Sequence, residues 1–309
     1  MTKTISVIIP AYNEEPNLPV VTERLYSLFQ NSSYKLELIF INDGSKDNSL
    51  EVLKQLSQQY PDFYFIDFSR NFGQQNALRA GYDFASGDAV ICMDADLQNP
   101  PEVVKELVHK WEEGYEVVIC KRRDATQNAG VFKENTSRLF YRIMSFLTNI
   151  SIEPNSPDFR LIDKKLVNVI KDLTEQDIFF RGLISWMGFR KAVIEYDHDV
   201  RLFGDTKYSL KKMIKLASSG LTSFSVKPLH LAIYLGLIIS SLSILYIPYA
   251  LYSYYSGAAI SGWASLIVTI SFFGGLQLLI LGVIGLYLGK LFMQSKQRPE
   301  YIVRETNLK

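Results

Sequence analysis

The chain has 309 residues, a formal net charge of +1 and 48% hydrophobic residues. Its length is enough for more than one domain, and its near-neutral charge argues against a globally basic protein that binds nucleic acid. Apolar and charged stretches alternate before Leu229, whereas charged residues almost vanish between Leu229 and Lys290. The sequence therefore predicts an α/β domain followed by an apolar region.

The first part of the chain alternates between predicted strands and predicted helices. Short β-rich runs predict strands at residues 5–10, 36–41, 63–68, 88–93 and 115–120. Helices are predicted between them, and Asn13 is the expected cap of the first, from Glu14 to about Phe29. Alternating βαβ units imply a mainly parallel sheet with helices on both faces.

Asp94 and Asp96 directly follow the apolar run that ends at Met93. Side chains two residues apart on an extended backbone point the same way, so both carboxylates are expected at the carboxyl end of a buried strand. Ligands of open α/β sheets bind at such ends, and Mg²⁺ is often held by one or two carboxylates plus substrate phosphates. The pair predicts a metal–diphosphate site, although a helix cap with a solvated turn gives the same local pattern.

Two other predicted strands also end in polar segments that carry acids. Residues 10–14 follow the first strand and residues 42–45 follow the second. The ends of parallel strands lie along one edge of a sheet and can build one crevice, so the three segments together favour a nucleotide-diphosphate site. The sequence has no glycine-rich phosphate loop with a Lys-Ser or Lys-Thr pair, which disfavours a P-loop NTPase.

Residues 229–255 and 263–293 each exceed the roughly 20 apolar residues that are needed to cross a bilayer. Lysines and arginines flank the pair on the outer sides, and the short loop between them carries no charge. By the positive-inside rule, both chain ends are expected in the cytoplasm and the loop outside. Small residues in the second segment permit close helix contact in lipid and hence a homo-oligomer: Gly274, Gly275, Gly282, Gly285 and Gly289.

Residues 132–150 and 207–224 are amphipathic and basic. Helices of this kind suit a membrane surface, and ordinary packing onto the sheet is the alternative for each. The expected plan is a cytoplasmic domain over residues 1–228 that includes both helices, two transmembrane helices over 229–293, and a cytoplasmic tail over 294–309.

The strand-end segments resemble a known family. Residues 6–14 (Ser-Val-Ile-Ile-Pro-Ala-Tyr-Asn-Glu), 42–45 (Asn-Asp-Gly-Ser) and 94–98 (Asp-Ala-Asp-Leu-Gln) resemble the inverting family-two glycosyltransferases with a GT-A fold. Residues 158–161 (Asp-Phe-Arg-Leu) and 203–209 (Phe-Gly-Asp-Thr-Lys-Tyr-Ser) are similar to the branch that uses polyprenyl phosphate. That branch includes dolichol-phosphate mannose synthase and the bacterial bactoprenol glucosyltransferases. The two apolar C-terminal segments match the membrane helices of the bacterial members.

The resemblance implies a role for each matching position. Contacts to the nucleoside are implied for Pro10, Ala11, Tyr12, Glu14 and Asp43. Asp94, Asp96 and Gln98 are expected around Mg²⁺ or Mn²⁺ and the diphosphate, and Arg122 on the donor side. Asp158 matches the catalytic-base position, and Arg201 and Lys207 match basic positions near the lipid phosphate. The chain has Gln74 and Gln75 where many relatives carry a lysine.

The resemblance implies an enzyme of the inner (plasma) membrane that moves a sugar from a nucleotide donor to undecaprenyl phosphate. UDP-glucose is the leading donor, and UDP-N-acetylhexosamine, UDP-4-deoxy-4-formamido-arabinose and GDP-mannose remain open. One alternative is a processive polysaccharide synthase, but the Gln-x-x-Arg-Trp motif and the additional membrane helices of that class are absent. A membrane-anchored nucleotide-binding scaffold without turnover is the non-enzymatic alternative, which the acidic set Asp94, Asp96 and Asp158 disfavours.

Overall fold

The computed structural model describes residues 2–123, 153, 156–176, 178–197, 199, 225–256 and 262–308. These residues form a mixed α/β domain and two long apolar helices. The predicted amphipathic segments 132–150 and 207–224 lie outside the described residues, as do Arg201, Lys207 and most of the loop between the apolar helices.

The described residues contain one eight-stranded sheet. In chain order its strands are β1 (Thr4–Ala11), β2 (Lys35–Asn42), β3 (Phe63–Phe68), β4 (Ala89–Cys92), β5 (Val117–Arg122), β6 (Arg160–Asp163), β7 (Lys191–Tyr196) and β8 (Val303–Thr306). Their order across the sheet is β7-β5-β6-β4-β1-β2-β3-β8. Strands β4, β1, β2 and β3 run parallel, as do β5 and β7, whereas β6 and β8 are antiparallel to their neighbours. The predicted mainly parallel sheet is confirmed.

Helices cover both faces of the sheet. The described helices of the α/β domain are α1 (Leu18–Phe29), α2 (Ser49–Gln59), α3 (Gln74–Phe84), α4 (Val104–Glu112), α5 (Lys164–Asp172) and α6 (Phe180–Trp186). Because side chains of a strand alternate between faces, Val7 of β1 packs into the core that contains α1, α2 and α4. Its neighbour Ile8 packs into the opposite core, with α3, α5 and α6.

The first helix begins later than the sequence predicts. Asn13 was the expected cap of a helix from Glu14, but its φ of 54° is left-handed and turns the chain away from a helix. Its side chain accepts a hydrogen bond from the backbone N–H of Lys46, at 2.8 Å. The helix starts only at Leu18, where Pro19 in its first turn lacks an N–H that would need a partner.

Two antiparallel strands have no counterpart in the predicted pattern. Strand β6 enters the sheet between β4 and β5 and brings Arg160 opposite Cys92. Strand β8 comes from the predicted C-terminal tail and pairs with the outer edge of β3, so that Thr306 lies opposite Ile66. The tail is thus part of the sheet.

The apolar helices are α7 (Lys227–Tyr255), which contains Pro248, and α8 (Trp263–Ser295). Among the described residues, Val268–Ser295 is long and apolar enough to cross a membrane, and Lys227–Leu242 is a shorter apolar stretch. Many large apolar side chains of both helices are exposed in the isolated chain, among them Leu242 and Leu278. Such continuous apolar exposure indicates an apolar surrounding.

Candidate active site

Three parallel neighbouring strands, β4, β1 and β2, end at the same edge of the sheet. Pro10 and Ala11 close β1, Asp43 follows β2, and Asp94 follows β4. The structure therefore places the three strand-end segments side by side, as the sequence predicts. Their acids lie at the edge where open α/β sheets bind ligands, and we call this edge of the sheet the crevice.

The turn after β2 is locked against the loop that precedes α3. The Asp43 carboxylate accepts the backbone N–H groups of Phe72, at 2.6 Å, and Gly73, at 3.0 Å. Burial raises the pKa of Asp43 to about 6, against the lowering effect of these two hydrogen bonds. Gly44 has φ +63°, and a Cβ there would lie 2.4 Å from the carbonyl carbon of Arg70. Only glycine fits this close approach.

The end of β1 is joined to the same turn. The backbone N–H of Asn13 donates to Ser45 Oγ at 2.9 Å, and the N–H of Asp43 donates to the carbonyl of Ala11 at 2.9 Å. The Glu14 carboxylate accepts Asn17 Nδ2 at 2.6 Å. Tyr12 lies between these anchored residues and is partly exposed, so hydrogen bonds join the two segments that carry the predicted nucleoside contacts.

The two acids after β4 have different surroundings. Asp94 accepts hydrogen bonds from Gln74 Nε2, at 2.9 Å, and Asn99 Nδ2, at 3.4 Å. Burial, followed by the charges of Asp158 and Asp96, raises the pKa of Asp94 to about 7. Asp96 accepts the backbone N–H of Gln98, at 3.2 Å. Gln74 thus contacts Asp94 without adding positive charge to the acid pair.

Asp158 is held by two arginines. Continuing the antiparallel β4–β6 register, in which Cys92 faces Arg160, by two residues brings Asp94 opposite Asp158. The Asp158 carboxylate is 3% exposed and accepts Arg160 Nη2 at 3.0 Å, Arg181 Nε at 3.1 Å and Arg181 Nη2 at 3.3 Å. Burial would raise the pKa of Asp158, but the two guanidinium groups outweigh it and hold the pKa below its usual value.

Arg122, at the end of β5, closes the crevice on the far side of Asp94. Its Nη2 lies 3.4 Å from Gln98 Oε1, and its Nε lies 3.4 Å from the hydroxyl of Tyr196. That hydroxyl in turn donates to Asn99 Oδ1. Arg122 is therefore connected to two of the three predicted metal-site residues, to Gln98 directly and to Asp94 through Tyr196 and Asn99.

The sequence prediction assigned no role to several residues of this cluster: Asn99, Arg160, Arg181 and Tyr196. The sequence could have indicated that Arg160 lies near Asp158, because residues two positions apart on a strand lie on the same face. Arg181 had no such signal, since it reaches Asp158 from a helix 23 residues farther along the chain. Arg201 and Lys207 lie outside the described residues, and their roles stay predictions.

The comparisons with known proteins agree with one another. The profile of Glycosyl transferase family 2 matches residues 6–170. The uncharacterized glycosyltransferase YkcC of Bacillus subtilis (strain 168) is 46% identical over 304 residues, which cover 97% of this chain and 93% of that protein. The bactoprenol glucosyl transferase of Shigella phage SfV is 39% identical over 306 residues, which cover 99% of each protein.

Solved structures share the general course of the chain. The mannosyltransferase PcManGT from Pyrobaculum calidifontis, in complex with GDP-Man and Mn²⁺, matches with a TM-score of 0.46 at 17% sequence identity. The match covers 96% of this chain and 84% of that structure. At this score, the likeness says nothing about ligands of the present chain.

The ion cluster around Asp158 leads to a stability prediction. Asp158→Asn should lower the free energy of unfolding by about 3–5 kcal/mol, because it leaves two guanidinium groups without their buried carboxylate. The folded-state pKa of Asp158 is depressed, so its contribution is fully present above the unfolded pKa of about 4 and is lost only as pH falls through the folded value.

Denaturant unfolding at pH 5, 6.5 and 8 checks this prediction. The difference between wild type and Asp158→Asn should be the same at all three values. A difference that grows between pH 5 and 8 would mean that Asp158 titrates in this range and is not held ionised by its arginines. The control is Asp62→Asn, which makes the same chemical change at an exposed turn.

Proposed function

The chain belongs to glycosyl transferase family 2 and is a glycosyltransferase, and we propose that it transfers a sugar from a nucleotide donor to polyprenyl phosphate. The observation that carries the proposal is the crevice in which Asp94 and Asp96 adjoin the arginine-rich cluster, in a chain that continues into apolar helices. Relatives that match almost the full length, at 38–39% identity, are named bactoprenol glucosyl transferases. Bactoprenol is a polyprenyl lipid, and its phosphate is the acceptor that we assign.

The donor is proposed to bind across the ends of β1, β2 and β4. Pro10, Ala11, Tyr12, Glu14 and Asp43 would contact the nucleoside, and Arg122 the diphosphate or sugar. UDP-glucose is the donor that the relatives' names favour. The names identify no residue that would select glucose. The other sugars named above remain alternatives for the same crevice.

A divalent cation, Mg²⁺ or Mn²⁺, fits the residues at the end of β4. Among the described residues, no three His, Cys, Asp or Glu side chains gather into a closed metal site. Two carboxylates and the Gln98 amide form an oxygen-only set, which suits a hard cation that also takes phosphate oxygens from its substrate. Such a cation would offset the negative charge that develops on the departing nucleoside diphosphate. Burial, followed by the charges of Asp158 and Asp96, raises the pKa of Asp94, and a bound cation would favour its ionised form.

The acceptor needs little help from a base. The second pKa of a phosphate monoester is near 6, so the lipid phosphate is mostly dianionic at neutral pH. One of its oxygens attacks the anomeric carbon opposite the leaving diphosphate, the bond from that carbon to the diphosphate breaks, and the configuration inverts. Asp158, with its depressed pKa, would orient Arg160 and Arg181 and contribute electrostatically. Arg201 and Lys207 are proposed to hold the lipid phosphate.

The helices are proposed to form a transmembrane hairpin that keeps the crevice at the cytoplasmic face of the plasma membrane. Strand β8, which follows α8, pairs with β3 of the sheet that precedes α7. A single crossing would separate these paired strands by a bilayer, so the connectivity supports two crossings. The proposed parts are a cytoplasmic domain over residues 1–228, two transmembrane helices over 229–293 and a cytoplasmic tail over 294–309. Strand β8 of the tail pairs with the sheet of the first part.

A donor panel tests the proposed reaction. The purified protein in detergent should convert undecaprenyl phosphate with UDP-glucose, and NMR of the product should show an inverted anomeric centre. Parallel reactions contain the N-acetylhexosamine, formamido-arabinose and mannose donors. Nucleotide binding without turnover of any donor would favour the scaffold, and products with several sugars would favour a processive synthase.

The acid pair supports a prediction about metal dependence. Asp96→Asn should lower kcat/KM about ten-fold or more without lowering the melting temperature, because a lost charge-assisted contact is worth about 1.5–3 kcal/mol. EDTA should abolish wild-type turnover, and added Mg²⁺ or Mn²⁺ should restore it. Asp62→Asn is again the matched control. Full activity of Asp96→Asn, or of metal-stripped enzyme, would contradict the proposed role.

The hairpin gives a topology prediction. In intact cells, a cysteine introduced by Ser261→Cys should react with a membrane-impermeant maleimide, whereas tags at both chain ends should be protected. The two native thiols, Cys92 and Cys120, are buried and provide a low background. Labelling of either chain end, or protection at position 261 until the cells are lysed, would argue against two crossings.

A further inference from the structure

We infer that the C-terminal strand β8 completes the framework of the donor site, and that Arg304 is a positioning residue that acts on the turn after β2 through Asp67 and Asn42. The inference rests on the proposed function, because it takes this turn as part of the proposed nucleotide site. It adds a role for a segment that follows the membrane helices and that no strand-end motif includes.

The attachment of β8 to the sheet is extensive. Beyond the antiparallel pairing with β3, Asn307 donates from Nδ2 to the carbonyl of Phe63 and accepts the N–H of Phe65. Upstream of the strand, Tyr301 stacks on Phe68 with ring centroids 5.0 Å apart and donates its hydroxyl to Asp83 at 2.8 Å. The segment is thus held by backbone, aromatic and polar contacts along the whole edge of β3.

One ion pair of this segment points into the domain. Asp67 of β3 is fully buried, and Arg304 Nε donates to its Oδ2 at 2.6 Å, while Arg304 itself is 54% exposed at the side chain. A buried carboxylate needs a partner for its charge. Arg304 supplies that partner from the end of the chain.

The other oxygen of Asp67 leads to the donor turn. Asn42 Nδ2 donates to Asp67 Oδ1 at 2.8 Å, and this contact fixes which side of the Asn42 amide faces the turn. The amide oxygen of Asn42 then accepts the backbone N–H of Ser45, at 3.2 Å. Ser45 Oγ accepts the N–H of Asn13, so the series of hydrogen bonds runs from β8 to the end of β1.

Loss of Arg304 therefore has a specific expected effect. The Asp67 carboxylate would lose its cation and would be stabilised only by water entering at the strand edge or by a move toward solvent. Either change weakens the hydrogen bond that orients Asn42, and Ser45 loses its fixed acceptor. The turn that carries Asp43 would then spend part of the time in conformations that do not fit a nucleoside.

Lys54, on helix α2, provides a matched control that contacts the same strand. Its Nζ lies 2.8 Å from Glu305, the residue next to Arg304. Its charge also acts on Asp67, but among the described contacts it donates no hydrogen bond to Asp67 or to the donor turn. Each variant removes one cation at β8. Lys54→Ala removes the partner of Glu305, and Arg304→Ala removes the partner of Asp67. A general weakening of the strand should affect both variants, whereas the positioning role belongs to Arg304 alone.

The first measurements are the Kd for UDP by calorimetry and the two KM values. Arg304→Ala should raise the Kd for UDP and the donor KM about ten-fold, which corresponds to about 1.4 kcal/mol, and leave the acceptor KM unchanged. Lys54→Ala should match wild type. An unchanged Kd in Arg304→Ala, or equal weakening in both variants, would overturn the inference.

A second variant separates positioning from misfolding. Asp67→Asn in the Arg304→Ala background removes the unpaired charge while keeping an oxygen that accepts from Asn42, so it should restore most of the UDP affinity. Recovery of the melting temperature without recovery of the UDP affinity would refute the proposed route from Arg304 through Asp67 and Asn42 to the donor turn.

Hydrogen exchange distinguishes this inference from the proposed function. Exchange of the Ser45 amide should become faster in Arg304→Ala and remain slow in Lys54→Ala, with no ligand present. Unchanged Ser45 exchange in Arg304→Ala refutes the role of Arg304. Wild-type protein that binds no nucleotide but shows the Arg304 effect on exchange refutes the proposed donor site instead.

Discussion

A buried carboxylate between two guanidinium groups determines the shape of the crevice. Asp158 and Arg160 are both almost fully buried, and burial of such charges is tolerated only when each is paired and hydrogen-bonded. Arg160 lies on β6 opposite Cys92 of β4, and Asp158 comes two residues before it in the chain. Arg181 then ties α6 to the same carboxylate. The positive charge beside the acid pair is therefore a consequence of strand pairing and of the packing of α6, and it is in place before any substrate binds.

The protein drives the pKa values of two neighbouring carboxyl groups in opposite directions. Burial and nearby acids raise the pKa of Asp94, whereas Arg181 and Arg160 overcome burial and lower that of Asp158. A carboxylate with a depressed pKa is a weak proton acceptor, and a group with a raised pKa gains most from an added cation. Asp158 is thus better suited to orienting its two arginines than to accepting a proton, which agrees with an acceptor that is already ionised at neutral pH.

Local patterns predicted the parts of the fold that have a local cause. The first five strands follow apolar runs, and the two apolar helices follow uncharged stretches. Strands β6 and β8 were not predicted because their positions depend on partners that are distant in the chain. The site residues show the same dependence on distant partners. A local motif identifies Asp94 and Asp96, whereas only the packing of α6 brings Arg181 to Asp158. Asn13 failed as a helix cap because its side chain is used by the turn after β2.

The return of the chain from α8 to the sheet has two consequences. It covers the edge of β3, and it limits movement of the sheet relative to α8. An unpaired edge on β3 would expose backbone donors and acceptors to other chains, and β8 covers that edge. Seven residues, 296–302, separate α8 from β8, and within them the carbonyl of Arg298 accepts Gln176 Nε2 at 2.9 Å. So short and anchored a connection limits how far the sheet can move or turn relative to the end of α8. The proposed function requires such a restriction, because the proposed donor residues lie on strands next to β8 and would have to stay at a constant distance from a lipid phosphate.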